Sequence, residues 1–444
     1  MELSNELLDE LSDKLRRAVG LTLKLDTDEK IFVGNEERMF LFALIQRLPG
    51  YSHKTARSIN NYSQVTNYNF HDVWRKNSQN TSDIKAHLPL RDRFRSFAIA
   101  IRRIILRLIS VVSLKYKLRN ASTLIHYSSH MRYGHFVTPE LTDLYFKHRD
   151  TKDKELRKNF SQNLASVKFS PLLVDYLTAL FPTSHLESYS KLSTHPITKL
   201  EIGTVAASIY GLMSDPLLSF LIKNNSSRLV YVQHGGGYGL NKDHLGHQME
   251  ESGSDMMLYW GTGDHNVFPT RYREKYFPKI KRTSMIVLSS GQDEKAIKPY
   301  IELANMVSRK WQSNCMVCLH PDSPIFEDNN VRHGVSNILL EQAQLVIFDS
   351  MQHSLMYQRF LARCPFLVID SDVNDLRVQN DNGRRLLLLM RNSKLLIPKN
   401  KLESSVDDWM RFSPNEAQQE FRQRANLVLN HILKRPKLNV LLEV

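Results

Sequence analysis

The stretch LVYVQHGGGYG, Leu229 to Gly239, decides the fold class. Four apolar residues run straight into Gln233, His234 and three consecutive glycines. The apolar run suits a strand buried on both faces. Glycine has no Cβ, so Gly235, Gly236 and Gly237 can take positive φ and leave backbone N–H groups open to a ligand. A helix starting near Asn241 would add its positive end to that anion-attracting loop, Gln233 through Tyr238 and Gly239. A sharp strand-to-helix turn without a ligand needs the same glycines, because a glycine-rich loop alone is a weak signal.

Working outward, similar runs recur as DMMLYW, SMIVLSS, CMVCLHP, AQLVIFDS and PFLVID, separated by helix-length stretches. This alternation predicts an α/β protein with parallel sheets covered on both faces. Before about Ser190 the pattern is mostly helical, polar and basic, with Asn- and Ser-rich loops near YSQVTNYNF and KNSQNTSD. A basic, proline-containing linker in KYFPKIKRTSMIVLSSGQD sets a boundary around Arg282. Residues 1–282 are thus expected to form a largely helical extension followed by an α/β lobe. Residues 283–444 form a second lobe, ending in two helices within VDDWMRFSPNEAQQEFRQRANLVLNHILKR.

A chain of 444 residues has room for roughly two to three domains. The net charge of +14 asks for an anionic partner: nucleic acid, a phospholipid surface or a phosphorylated substrate. No nucleic-acid module or aromatic–basic signature is present, which weighs against the first. The opening MELSNELLDELSDKLRRAVG is polar and acidic where a secretory leader would be apolar. The longest apolar segments are too short or carry arginines, so a cytoplasmic protein with no membrane span is expected. Three cysteines are too few for a disulfide framework. Cys315 and Cys318, three apart on a strand, point to opposite faces and are expected to be packing residues.

Within residues 90–119, Phe94, Phe97, Ile101, Ile104, Ile105, Leu108 and Val112 fall at helical spacing, with Arg95, Arg102, Arg103 and Arg107 off that stripe. Such a helix can lie on an anionic inner-membrane surface. Ile99, Leu106 and Ile109 lie outside the stripe and suit a helix buried on several sides. Both readings stay open.

Three further stretches carry chemistry. In NKDHLGHQMEESGSD, a helix would bring His244, His247 and Glu251 to one face with Glu250 beside it, although Gly246 weakens that helix. Zinc ligation, an acid–base cluster at a cleft lip and an exposed polar face all fit this spacing, but no known metal motif is matched and no metal or other cofactor is expected. In VCLHPDSP, a strand ending in His320–Pro321 sets an imidazole at the carboxyl edge of the second sheet, where open α/β sheets bind ligands. In AQLVIFDSMQHSLMYQRF, a strand delivers Asp349 and Ser350, and a helix from about Met351 carries Ser354 in its first turn. Hydroxyls and free N–H groups there make an anion site, and they serve equally as a helix cap.

The order LVYVQHGGGYG, Glu250–Glu251, DMMLYWG, HP and the strand–Ser–helix–CPFLVI unit resembles a family of bacterial surface-carbohydrate transferases of glycosyltransferase-B architecture. The His-Pro and serine elements are similar to those of bacterial sialyltransferases and capsule Kdo transferases, which use CMP-activated sugars. The resemblance runs from about Phe181, including LFPTSHLESYSKL, to the C-terminus. It implies two Rossmann-like lobes, the acceptor-side one within residues 1–282 and the nucleotide-sugar-binding one in 283–444, with His320, Ser350 and Ser354 holding the donor's phosphate and the Gln233–Gly239 loop facing them across a cleft. The acidic Asp/Glu-Asp/Glu-Gly motif that supplies the base in many sialyltransferases is not evident. Glu250 and Glu251 are therefore the expected bases or nucleophile, and His234 is expected to orient a sugar or phosphate. The implied function is transfer of a CMP-type sugar to a surface-polysaccharide or lipid-linked acceptor. A CDP-polyol phosphotransferase of the teichoic-acid type and a non-enzymatic nucleic-acid-binding protein are the alternatives.

Overall fold

The computed structural model describes residues 4–26, 31–45, 122–126, 137–138, 141–145, 150–234, 237–240, 245–260, 263, 284–289, 294–312, 314–319, 331–333, 343–351, 353–361, 363–370 and 381–432. The 90–119 segment, Gly235, Gly236, His244, His320, Pro321 and the linker around Arg282 lie outside them. The chain divides into two compact units: Met1–Val232 with Leu245–Met257, and Gln233–His244 with Leu258–Val444. The units part upstream of residue 282, at the ends of two strands of the first sheet.

In the first unit, strands β1 (Thr123–His126), β2 (Val137–Thr138), β3 (Thr204–Ala207), β4 (Arg228–Val232) and β5 (Met256–Leu258) lie in the order β2-β1-β3-β4-β5. Pairs β1–β2, β1–β3 and β3–β4 are parallel. The N-terminal part, expected to be largely helical, also supplies two strands of this sheet before residue 190. Their brevity, TLIH and VT, hid them from a search for long apolar runs.

Helix Glu36–Ile45 is tied to this unit by polar contacts its sequence does not advertise. Glu36 is fully buried, and its carboxylate accepts from Ser219 Oγ at 2.7 Å and lies 2.9 Å from His185 Nε2. The His185 ring stacks on Phe32 and Phe220 at 5.6 and 5.7 Å. A buried carboxylate is tolerable when it is hydrogen-bonded in this way.

The second unit holds β6 (Ser284–Ser289), β7 (Asn314–Leu319), β8 (Val331–His333), β9 (Leu345–Phe348), β10 (Phe366–Asp370) and β11 (Leu396–Pro398). Their order is β11-β10-β9-β6-β7-β8, and every neighbouring pair is parallel. Read from β8, this is the 3-2-1-4-5-6 order of the dinucleotide-binding fold, whose crevice opens where the order reverses, here outside the carboxyl ends of β6 and β9. Val287, Val317, Val346, Ile347 and Val368 fill the core between the strands and their covering helices.

The two C-terminal helices, Leu402–Arg411 and Pro414–Ile432, form as expected and close that core through Trp409, Phe421 and Val428. The Phe421 ring lies 5.2 Å from Phe366 on β10. Cys315 and Cys318 are buried on β7, and burial pushes their thiols up to about 12 and about 11, which keeps them protonated and inert. Among the described residues no helix is long and apolar enough to cross a membrane.

Candidate functional site

The loop after β4 is anchored at its root by Gln233. This residue is fully buried; its backbone N–H donates to the Leu258 carbonyl at 2.9 Å and its side-chain oxygen accepts the Trp260 N–H at 2.7 Å. Gln233 therefore secures the loop from below. His234 follows, half-buried, with the Tyr238 hydroxyl 2.9 Å from Nδ1 and 3.4 Å from Nε2. The two rings meet nearly edge to face, and Tyr238 is itself buried, so its hydroxyl is a fixed post that orients the imidazole. Gly237 and Gly239 take φ of 77° and 71°, values that glycine adopts at little cost, and the Leu240 N–H closes the turn onto the Gly237 carbonyl at 3.0 Å. Leu240 joins the hydrophobic core of the second unit, alongside Trp260, Met351 and Tyr357.

Helix Leu245–Ser252 carries the two glutamates in contrasting settings, and the expected start at Lys242 lies outside the described residues. Glu250 is fully buried, whereas Glu251 is exposed. Tyr210 is pushed up to about 12, and Tyr231 well above its usual value, by burial first and then by the Glu250 charge. Burial withholds Glu250 from solvent, while Glu251 is exposed and His234 half-buried. The helix is held from the side by Asn35, whose Nδ2 donates to the Met249 carbonyl at 2.9 Å and to Ser252 Oγ at 3.1 Å. His247 is buried, and no three His, Cys, Asp or Glu side chains gather to hold a metal among the described residues.

In the second unit, Asp349 and Ser350 follow directly on β9, beside the reversal point of strand order, and both are half-buried. The next helix starts at Ser354 rather than near Met351. Between them His353, which sequence reasoning passed over, places Nε2 2.6 Å from Asp349 Oδ1, while its carbonyl accepts the Met356 N–H at 3.1 Å. The two residues stand four apart in DSMQH, but in the stretch between β9 and the helix rather than within a helix, so no helical periodicity pointed to the pair. Tyr300 also faces Asp349, and its hydroxyl is pushed up to about 12 by burial and then by that charge. Where β7 ends at Leu319, His320 and Pro321 pass outside the described residues.

The reversal point of the first sheet, between β1 and β3, carries a second pair that was not foreseen. His126 Nε2 lies 3.3 Å from Asp215 Oδ2, and both residues are fully buried. Asp215 accepts from the Leu141 N–H at 2.6 Å, the Thr142 N–H at 2.9 Å and the Thr142 hydroxyl at 2.5 Å, so it serves as a cap for the Leu141–Tyr145 helix.

Comparison with known proteins identifies the family. The family described as LIC12162 family transferase matches residues 20–314. The chain belongs to the LIC12162 transferase family. Membership reaches well upstream of Phe181, where the sequence resemblance began; it includes the 233–239 loop and the Leu245–Ser252 helix and ends before His320 and Asp349. A search of curated proteins finds no match. Among solved structures the chain is similar to the glycotransferase of kitacinnamycin, at 13% identity over 70% of this chain and 94% of that one, with a TM-score of 0.34. It is also similar to the glycosyltransferase SnogD from Streptomyces nogalater, at 13% identity over 62% and 77%, with a TM-score of 0.29. Likeness at these scores bears on neither substrate nor mechanism.

Proposed function

We propose that this LIC12162-family transferase moves a sugar from a nucleotide-activated donor, of the CMP type, to a surface-polysaccharide or lipid-linked acceptor. The observation that carries the reading is the placement of Asp349 and Ser350 at the strand-order reversal of a fully parallel 3-2-1-4-5-6 sheet, the position where such sheets take nucleotides. His320 and Ser354 complete the donor set in this reading. An acceptor on a lipid carrier would be met at the membrane through residues 90–119.

The chemistry follows from charge. The acceptor oxygen forms a bond to the anomeric carbon while the bond from that carbon to the phosphate oxygen breaks, and the electron pair leaves with the nucleotide. Hydroxyl and N–H donors fixed around the phosphate stabilise that charge as it develops. The proton of the acceptor hydroxyl passes to His234, whose ring Tyr238 holds in one orientation. Glu251 is the second candidate base, and Glu250 shapes the interior.

Thermal unfolding in the presence of CMP, CDP, UDP and GDP tests the reading. A ligand at 100 times its Kd adds about 2.7 kcal/mol of stability. CMP is expected to stabilise the wild type, and Ser350→Ala to weaken that effect. No stabilisation by any nucleotide would overturn the proposal, and a preference for CDP over CMP would favour polyol-phosphate transfer.

A further inference from the structure

We infer that His353 is the group that meets the donor's phosphate and that Asp349 is its positioning residue, an inference that rests on the nucleotide-donor reading above. A bare carboxylate at a phosphate site is an electrostatic contradiction, because like charges a few ångströms apart repel. The structure resolves it: Asp349 Oδ1 takes His353 Nε2 at 2.6 Å. An imidazole so paired still has Nδ1 for a second hydrogen bond, and in its protonated form it donates from both nitrogens, one to the carboxylate and one to a phosphate oxygen.

The pair is largely covered, with the Asp349 and His353 side chains 9% and 17% exposed, so its interactions are screened less than those of a surface ion pair. The ring is also held from the side by Phe348, centroid to centroid at 5.5 Å. Asp349 sits at the end of β9, and His353 four residues on, so both belong to the same reversal point as Ser350. Asp349 thus acts on the donor through His353 rather than by touching it.

The test compares each nucleotide with its own nucleoside: CMP with cytidine, UDP with uridine and GDP with guanosine, by calorimetric titration of the full chain. The ratio of the two dissociation constants isolates the phosphate's contribution from the base and ribose. In His353→Gln that ratio is expected to fall by about 10-fold or more while nucleoside affinity stays put, the loss expected of a charge-assisted hydrogen bond. Asp349→Asn, which keeps the shape, is expected to lower the ratio in the same direction; should His353→Gln fail to fold, this variant decides. A wild-type phosphate contribution that survives intact in the folded variants overturns the inference and leaves the donor reading standing. A wild type that binds none of the nucleotides overturns both.

Discussion

The side-chain oxygen of Gln233 accepts the backbone N–H of Trp260 at 2.7 Å, while the Gln233 N–H donates to Leu258, so one residue pins the end of β4 to the segment that follows β5. Gln233→Met keeps the length but strands a buried N–H, which costs about 1–3 kcal/mol. A lower urea midpoint is expected; an unchanged midpoint would show that the contact contributes nothing.

In the proposed mechanism His234 takes the acceptor's proton. His234→Gln retains a polar side chain of similar reach but cannot take the proton, and a general base contributes about 10²–10⁴-fold to the rate. Turnover should fall by about that factor with donor affinity within threefold of wild type. If turnover persists and Glu251→Gln abolishes it, the proton goes to the glutamate.

Gly237 holds φ at 77°, a region that costs other residues about 1–2 kcal/mol. Gly237→Val adds a β-branched side chain to that penalty and should distort the turn that Leu240 closes. The expected result is lost transfer with only a modest drop in melting temperature, checked by parallel activity and unfolding measurements. Full activity would reduce the loop to a connector.

Asp407 binds Lys310 and accepts the Trp311 ring N–H at 3.0 Å, and the Lys310 hydrogen bond holds its carboxyl below the usual range. A lowered folded-state value means the unfolded chain takes up the proton first. The contribution is therefore present above the ordinary carboxylate value of about 4 and fades as pH falls through the lower folded value. Asp407→Asn should be less stable than wild type at neutral pH, with the two converging towards strong acid. A gap that stays constant across the titration would contradict this origin.

The longer strands, from RLVYV to FLVID, were legible because a buried parallel strand is a continuous β-branched run, and the C-terminal helices because their apolar residues recur at helical spacing. Strands TLIH, VT, TVAA, VRH and LIP were not, since two to four residues carry no period and their partners lie far away in the chain. Composition could not reveal that Glu250 is covered while Glu251 is exposed, because adjacent positions on a helix point in different directions and only packing decides which side is inside. Gln233 was legible as part of the loop, but its commitment to Trp260 depends on a strand 23 residues on. The His353–Asp349 pair was not legible either, because it forms in the non-helical stretch between β9 and the Ser354 helix, where a spacing of four predicts no contact.

The central claim, transfer of a sugar rather than of a phosphorylated group, is tested most directly by phosphorus NMR of the full-length protein incubated with CMP-sugar and with CDP-polyol donors in the presence of a lipid-linked acceptor. The account predicts release of CMP from the CMP-sugar, with a glycosylated product that carries no phosphate from the donor. CMP released only from the CDP-polyol, with the donor's second phosphate retained in the product, would contradict it.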